Sequence, residues 1–244
     1  MQFENTVHAR AFAAELAALV SGGENTWAMS ALSPVITDKN PFRLLDILGK
    51  CISSCPADHL LPFLDAVAQT HAEGAWVVIA SALRGCQAQS LASRLEKAQS
   101  YIIMADIWYG ADIFGERVPG PFLLSDFNTT LSLLTPWGEH PNPWVRRVIG
   151  VAAHFWAKRT RAHPDSAGQA RQLLEFLSPL LEERDIRAAK GIGWGLKTLG
   201  RYYPDFAANW LREQIIIQNR HPIAVVHRKA LTFLPEHIKA ELSR

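Results

Sequence analysis

Val145-Arg146-Arg147-Val148-Ile149-Gly150 recurs later in the chain as Ile186-Arg187-Ala188-Ala189-Lys190-Gly191, and Val226-His227-Arg228 follows at nearly the same interval. In the first two segments a β-branched residue, an arginine and a glycine hold the same places. Around them the apolar residues fall at the three-to-four spacing of a helix, with no sustained alternation of the kind a strand needs. A helical unit with a period of roughly 40 residues predicts a HEAT- or armadillo-type stack, because each helix pair has an apolar face that only its neighbours can cover. The expected fold is therefore all-α: a right-handed α-solenoid of HEAT-like repeats with one concave face, forming a single domain over residues 1–244.

The rest of the chain reads the same way. Helices are expected at about residues 3–20 (stopped by Gly22-Gly23), 27–32 (ended by Ser33-Pro34), 41–53, 56–71, 74–84 and 87–97. A central helix is expected at about 100–114, followed by a loop over Gly115 to Pro121. Further helices are expected at about 122–134, 144–158, 167–181, 186–202, 205–218 and 225–234, with a short last one from Pro235. Asn40-Pro41 and Asn142-Pro143 each read as a helix N-cap followed by a proline at the first helical position.

Composition narrows the function classes. The 244 residues are 48% hydrophobic and 20% charged, as in an ordinary globular chain, with a net charge of +2. The charge is unevenly spread: residues 1–100 carry 7 basic and 9 acidic groups, residues 101–244 carry 18 and 14. Between Trp144 and Arg161 lie Arg146, Arg147, Lys158, Arg159 and Arg161 and no acidic residue, which suits a polyanion partner. Cys51, Cys55 and Cys86 are too few for a disulfide framework and read as free thiols. The longest apolar run, about Ala75 to Leu83, is too short to span a bilayer, and no signal-peptide pattern opens the chain, so a cytoplasmic location is expected. No phosphate-binding loop, nucleophile elbow or zinc-type cluster is present, so neither metal nor cofactor is expected. Gly191, Gly193 and Gly195 inside a helix imply close approach of something, most simply a neighbouring helix. His154, His221 and His227 read as isolated helix histidines.

Trp108 and Asp112 stand one helical turn apart and share a face. They are followed in order by Trp144-Val145-Arg146-Arg147, by Lys190-Gly191-Ile192-Gly193-Trp194-Gly195-Leu196-Lys197 and by His227-Arg228-Lys229-Ala230-Leu231. This succession, over about residues 100–234, resembles the AlkD-like family of DNA alkylation repair enzymes, HEAT-like DNA glycosylases that remove purines alkylated at the 3- or 7-position. The resemblance implies that Asp112 is the catalytic carboxylate and that Trp108 and Trp194 are aromatic walls beside the lesion. It implies further that Arg147 holds a phosphate and that Lys197 is a second basic contact. Arg146, Lys158, Arg159, Lys190, Arg228 and Lys229 complete the expected DNA-binding set. The family's Tyr-, Gly- and Pro-rich N-terminal segment has no counterpart here, since Ser33 to Pro41 has a different pattern.

The expectation is thus a monomeric base-excision glycosylase acting on double-stranded DNA with alkylated bases, with Trp108, Asp112, Arg147 and Trp194 converging on the concave face. The alternatives are a non-catalytic HEAT module that binds damaged or branched DNA, and a protein-interaction scaffold.

Overall fold

The computed structural model describes residues 1–243. Every regular element among them is helical, and none is a strand. The chain divides into two compact units, Met1–Val118 and the residues from Pro119 onward.

The first unit holds α1 (Thr6–Ser21), α2 (Asn25–Thr37), α3 (Phe42–Ile52), α4 (Ala57–Ala68), α5 (Glu73–Gly85), α6 (Leu91–Ala105) and α7 (Trp108–Arg117). One layer runs α1, α3, α5, α7, each packed on the next, while α2, α4 and α6 form the other. The apolar run read from the sequence is the heart of this unit: all residues from Gly74 to Leu83 are buried, as expected of a helix that is apolar all round. Close approach to α5 depends on Gly49 of α3, where a Cβ would lie 2.4 Å from the Val78 carbonyl oxygen.

The second unit holds α8 (Pro119–Ser125), α9 (Phe127–Leu134), a 3-10 turn (Thr135–Glu139), α10 (Pro143–Thr160), α11 (Ala167–Leu177), α12 (Ile186–Tyr202), α13 (Pro204–Arg212), α14 (Ala224–Leu231) and α15 (Glu236–Leu242). Again one layer is a succession, α8 on α10 on α12 on α14, with α11, α13 and α15 forming the second. The period read from the sequence is thus the step from α10 to α12 to α14.

The two glycines that the repeat equates meet at the α10–α12 seam. A Cβ on Gly150 would lie 2.2 Å from the Gly191 carbonyl oxygen, and one on Gly195 would lie 2.7 Å from the Gly150 oxygen. Gly193 faces the other way, where a Cβ would lie 2.9 Å from Lys229 Cδ of α14. The glycines of α12 therefore serve helix packing on both sides.

Several sequence expectations need correction. The central helix is two helices, because Asp106 adopts a left-handed φ of 45° and ends α6 before α7 begins at Trp108. The loop expected over Gly115 to Pro121 is helical apart from Val118: Pro119 opens α8, where a proline's missing amide costs no hydrogen bond. Pro34 does not end a helix but lies inside α2, whose Leu32, Val35 and Ile36 are all buried. Asn40 is not a helix cap. Its side chain accepts from the Phe3 amide and donates to the Met1 and Val35 carbonyls, tying the start of the chain to α2. Asn142 does cap α10, accepting from the Trp144 amide at 2.8 Å, with Pro143 at the first helical position. The three cysteines are free, two of them buried.

Gly150→Ala should lower the unfolding free energy by about 3 kcal/mol, the upper end for overpacking, because the added methyl meets backbone that cannot rotate away. Gly168→Ala, with nothing within 4 Å of the new methyl, should leave stability unchanged or slightly raised. Urea titration of both variants checks this, and equal stabilities would remove the seam from the account.

Candidate nucleic-acid interface

In the first unit the candidate residues ride on α7. Gly110 allows this helix to fold back on α6, since a Cβ there would lie 2.8 Å from Ala105 Cβ. Phe114 anchors the buried face, stacked on Tyr101 at 6.1 Å and tilted against Trp76 at 6.2 Å. The far end is held by Arg117, whose Nε donates to Asp46 of α3 at 2.7 Å while Ser81 of α5 donates to the same oxygen at 2.6 Å. Tyr101 donates to Asp65 at 2.7 Å, and burial, with that carboxylate nearby, pushes its phenol well above the usual range. These contacts fix the rotation of α7. They leave Trp108 outward at 57% exposure, with Asp112, half-buried, one turn along the same face. The indole at the first residue of α7 therefore presents a large apolar face to whatever approaches Asp112.

In the second unit the seam creates a different surface. Between Lys190 and Arg201, α12 is buried except at Lys190, Trp194, Lys197 and Arg201. These stand at i, i+4, i+7 and i+11 and so form one stripe along the helix. No acidic residue occurs in α12 or in α10. Across the seam, the buried His154 stacks on Trp194 with ring centroids 3.9 Å apart and planes at 26°. Thr198 Oγ1 donates to the Trp194 carbonyl at 3.0 Å and so accepts from His154 Nδ1 at 2.7 Å, which assigns the proton of the neutral imidazole to Nδ1. Burial first, and the charge of Lys158 second, push His154 down to about 4. On the other flank Lys229 of α14 donates to the Lys190 carbonyl at 3.0 Å, and Phe233 lies against Lys197 and Arg201.

The expected residues therefore separate. Trp194, Lys190, Lys197 and Lys229 come together on one basic and aromatic strip. Lys158, Arg159 and Arg228 are exposed, with Arg159 over its own neighbour Phe155 at 5.1 Å. Arg147 is only 7% exposed and donates to the Arg187 carbonyl across the seam at 2.9 Å. Arg146 does not face a ligand surface as a free cation: it forks onto Glu183 at 2.6 and 3.2 Å and donates to the His140 and Pro141 carbonyls. It is a strut between α10 and the turn before α12. His154, expected to be an isolated helix histidine, is instead buried against Trp194, and Arg201 and Phe233 were not among the expected residues. The stripe spacing along residues 190–201 was available to find Arg201, but the three glycines drew the reading; nothing local marks His154, whose role needs Trp194 beside it.

The lowered His154 value has a consequence for stability. Above pH 6.5 the imidazole is neutral folded and unfolded, and contributes no pH dependence. As pH falls from 6.5 towards 4 the unfolded chain takes up a proton that the folded chain refuses, so stability is lost, by about 3 kcal/mol over the whole window. His154→Gln should remove most of that dependence. Unfolding free energies at pH 7 and pH 4.5 compare the two proteins, and an equal acid loss in both would show that His154 is not the group responsible.

The family model of the DNA alkylation repair enzymes matches residues 64–234, beginning earlier than the motifs that carry the resemblance and running through both units. No curated protein and no solved structure matches the chain. With the match covering well over half of the sequence, the chain belongs to the DNA alkylation repair enzyme family.

Proposed function

We propose that this protein is a DNA glycosylase, built from HEAT-like helix pairs, which hydrolyses the N-glycosidic bond of purines made cationic by alkylation at the 3- or 7-position in duplex DNA. The observation that carries the reading is the pairing of an outward indole, Trp108, with a carboxylate, Asp112, on a helix whose other face is locked by Phe114 and Arg117. The family match supplies DNA alkylation repair as its context. The acid-free strip of Lys190, Lys197 and Arg201 beside Trp194 supports a polyanion as partner.

The chemistry suits these groups. A purine alkylated on a ring nitrogen already carries positive charge, so it leaves as a neutral base with the bonding pair and needs no general acid. The sugar becomes oxocarbenium-like at C1′. The Asp112 carboxylate stabilises that charge, orients the water that attacks C1′ and accepts the proton which that water loses. The Trp108 ring faces a cationic lesion or sugar with its negative quadrupole, worth about 0.5–2 kcal/mol. Trp194, backed by His154, offers an aromatic face beside the cations of α12 in the second unit. The exposed lysines of α12 and α14 add attraction that is indifferent to base sequence.

Asp112→Asn preserves size and removes the charge. It should slow single-turnover release of 7-methylguanine from duplex DNA by about 10²–10⁴-fold while DNA affinity holds or rises slightly. Trp108→Ala should slow release by at most about thirtyfold. Release at the wild-type rate by Asp112→Asn would remove it as the catalyst. A wild-type protein that binds DNA but frees no base would make it a passive binder.

A further inference from the structure

Four arginines of the second unit have their charge answered by a carboxylate. Arg146 lies on Glu183, Arg187 on Asp185, Arg212 on Glu241 and Arg220 on Glu182. Lys197 and Arg201 differ. They stand one turn apart on α12, and neither has an ion pair among the described residues. Like charges at this spacing repel. The ring they share is Phe233: Lys197 Nζ and Arg201 Cζ each lie 5.2 Å from its centroid, the ring remains 43% exposed, and Arg201 also lies 5.5 Å from the centroid of Tyr202. The Phe233 ring is itself placed by the chain that follows α14, where the buried Leu234 packs 3.5 Å from the position a Cβ would take on Gly200 of α12.

A carboxylate partner would orient these cations and cancel their charge. A benzene ring orients them and cancels little of it, because its quadrupole offers no acceptor lone pair for the N–H donors. Two fixed cations with unspent donors, on a helix free of acidic residues, suit an anion with several oxygens. The two residues are separated by four steps of about 1.5 Å along the helix axis, close enough for one stretch of nucleic-acid backbone to meet both.

We propose that Phe233, Lys197 and Arg201 form a clamp for the phosphodiester backbone of one DNA strand, with Phe233 acting as the fixed support of the two cations. This deepens the DNA-repair reading and rests on it. It adds Phe233 and Arg201 as parts of the grip, and it gives Lys197 a defined role in place of general attraction.

The test is the binding of an undamaged DNA duplex at several salt concentrations, with melting temperature recorded alongside. Arg201→Gln and Lys197→Gln should each lower the slope of log affinity against log salt by about 1, and the double variant by about 2. Their melting temperatures should hold or rise as the repulsion is relieved. Phe233→Leu keeps both charges and most of the apolar bulk, so it should weaken binding severalfold with the slope retained. Unchanged slopes in the two glutamine variants would overturn the clamp even if wild type binds DNA and releases alkylated base. Wild-type binding to polyglutamate through these residues, without binding to duplex, would overturn it in favour of an acidic protein partner. Failure of base release by an otherwise DNA-binding wild type would count against the glycosylase reading alone, and leave these slopes as the test of the clamp.

Discussion

The second unit depends on contact between two helix backbones. Gly150 and Gly191 face each other across the α10–α12 seam with no room for a single methyl group, and Gly195 repeats the approach one turn further along. Each glycine costs about 1 kcal/mol of helix propensity against alanine. The close approach that results puts Arg147 against the Arg187 carbonyl, His154 against Trp194 and Thr198, and, between Lys190 and Arg201, every side of α12 but one out of water. A wider seam would separate the imidazole from the indole and open the buried side of α12 to solvent. The basic strip is in this sense a by-product of packing: it is what remains of α12 after its neighbours have covered the rest.

The same logic runs through the first unit with different residues. There α5 is buried from Gly74 to Leu83, and α7 is positioned by an aromatic contact at its centre and a charged one at its end. Ser81 donates to the same Asp46 oxygen that Arg117 meets and so helps hold the carboxylate in place. Trp108 and Asp112 are left on the one face that these contacts do not use.

Helix period and repeat spacing were legible because burial writes them directly into the chain: Gly150 and Gly191 are equivalent by position and touch in space. The Asn142-Pro143 start of α10 and the limits of α12 were also readable, since capping is a local matter. The break at Asp106 was not. Ile102, Ile103 and Ile107 continue the apolar pattern across it, and the need to turn there comes from packing of α7 on α5 rather than from any Gly or Pro signal. The order of aromatic and charged motifs pointed to the family. Which arginines are available to a ligand could not be read, because Arg146 and Arg147 are neighbours in sequence whose different commitments are set by Glu183 and by the Arg187 carbonyl, both a full repeat away along the chain.

The central claim is that a bond between base and sugar is cut by water. Incubation of the wild-type protein with methylated duplex DNA, followed by mass spectrometry of the small molecules and alkali treatment of the DNA, tests it most directly. The account predicts free methylated purine in solution and an alkali-labile abasic site left behind for every base released. Unmodified purine restored within the duplex, or no change in the DNA at all, would contradict it.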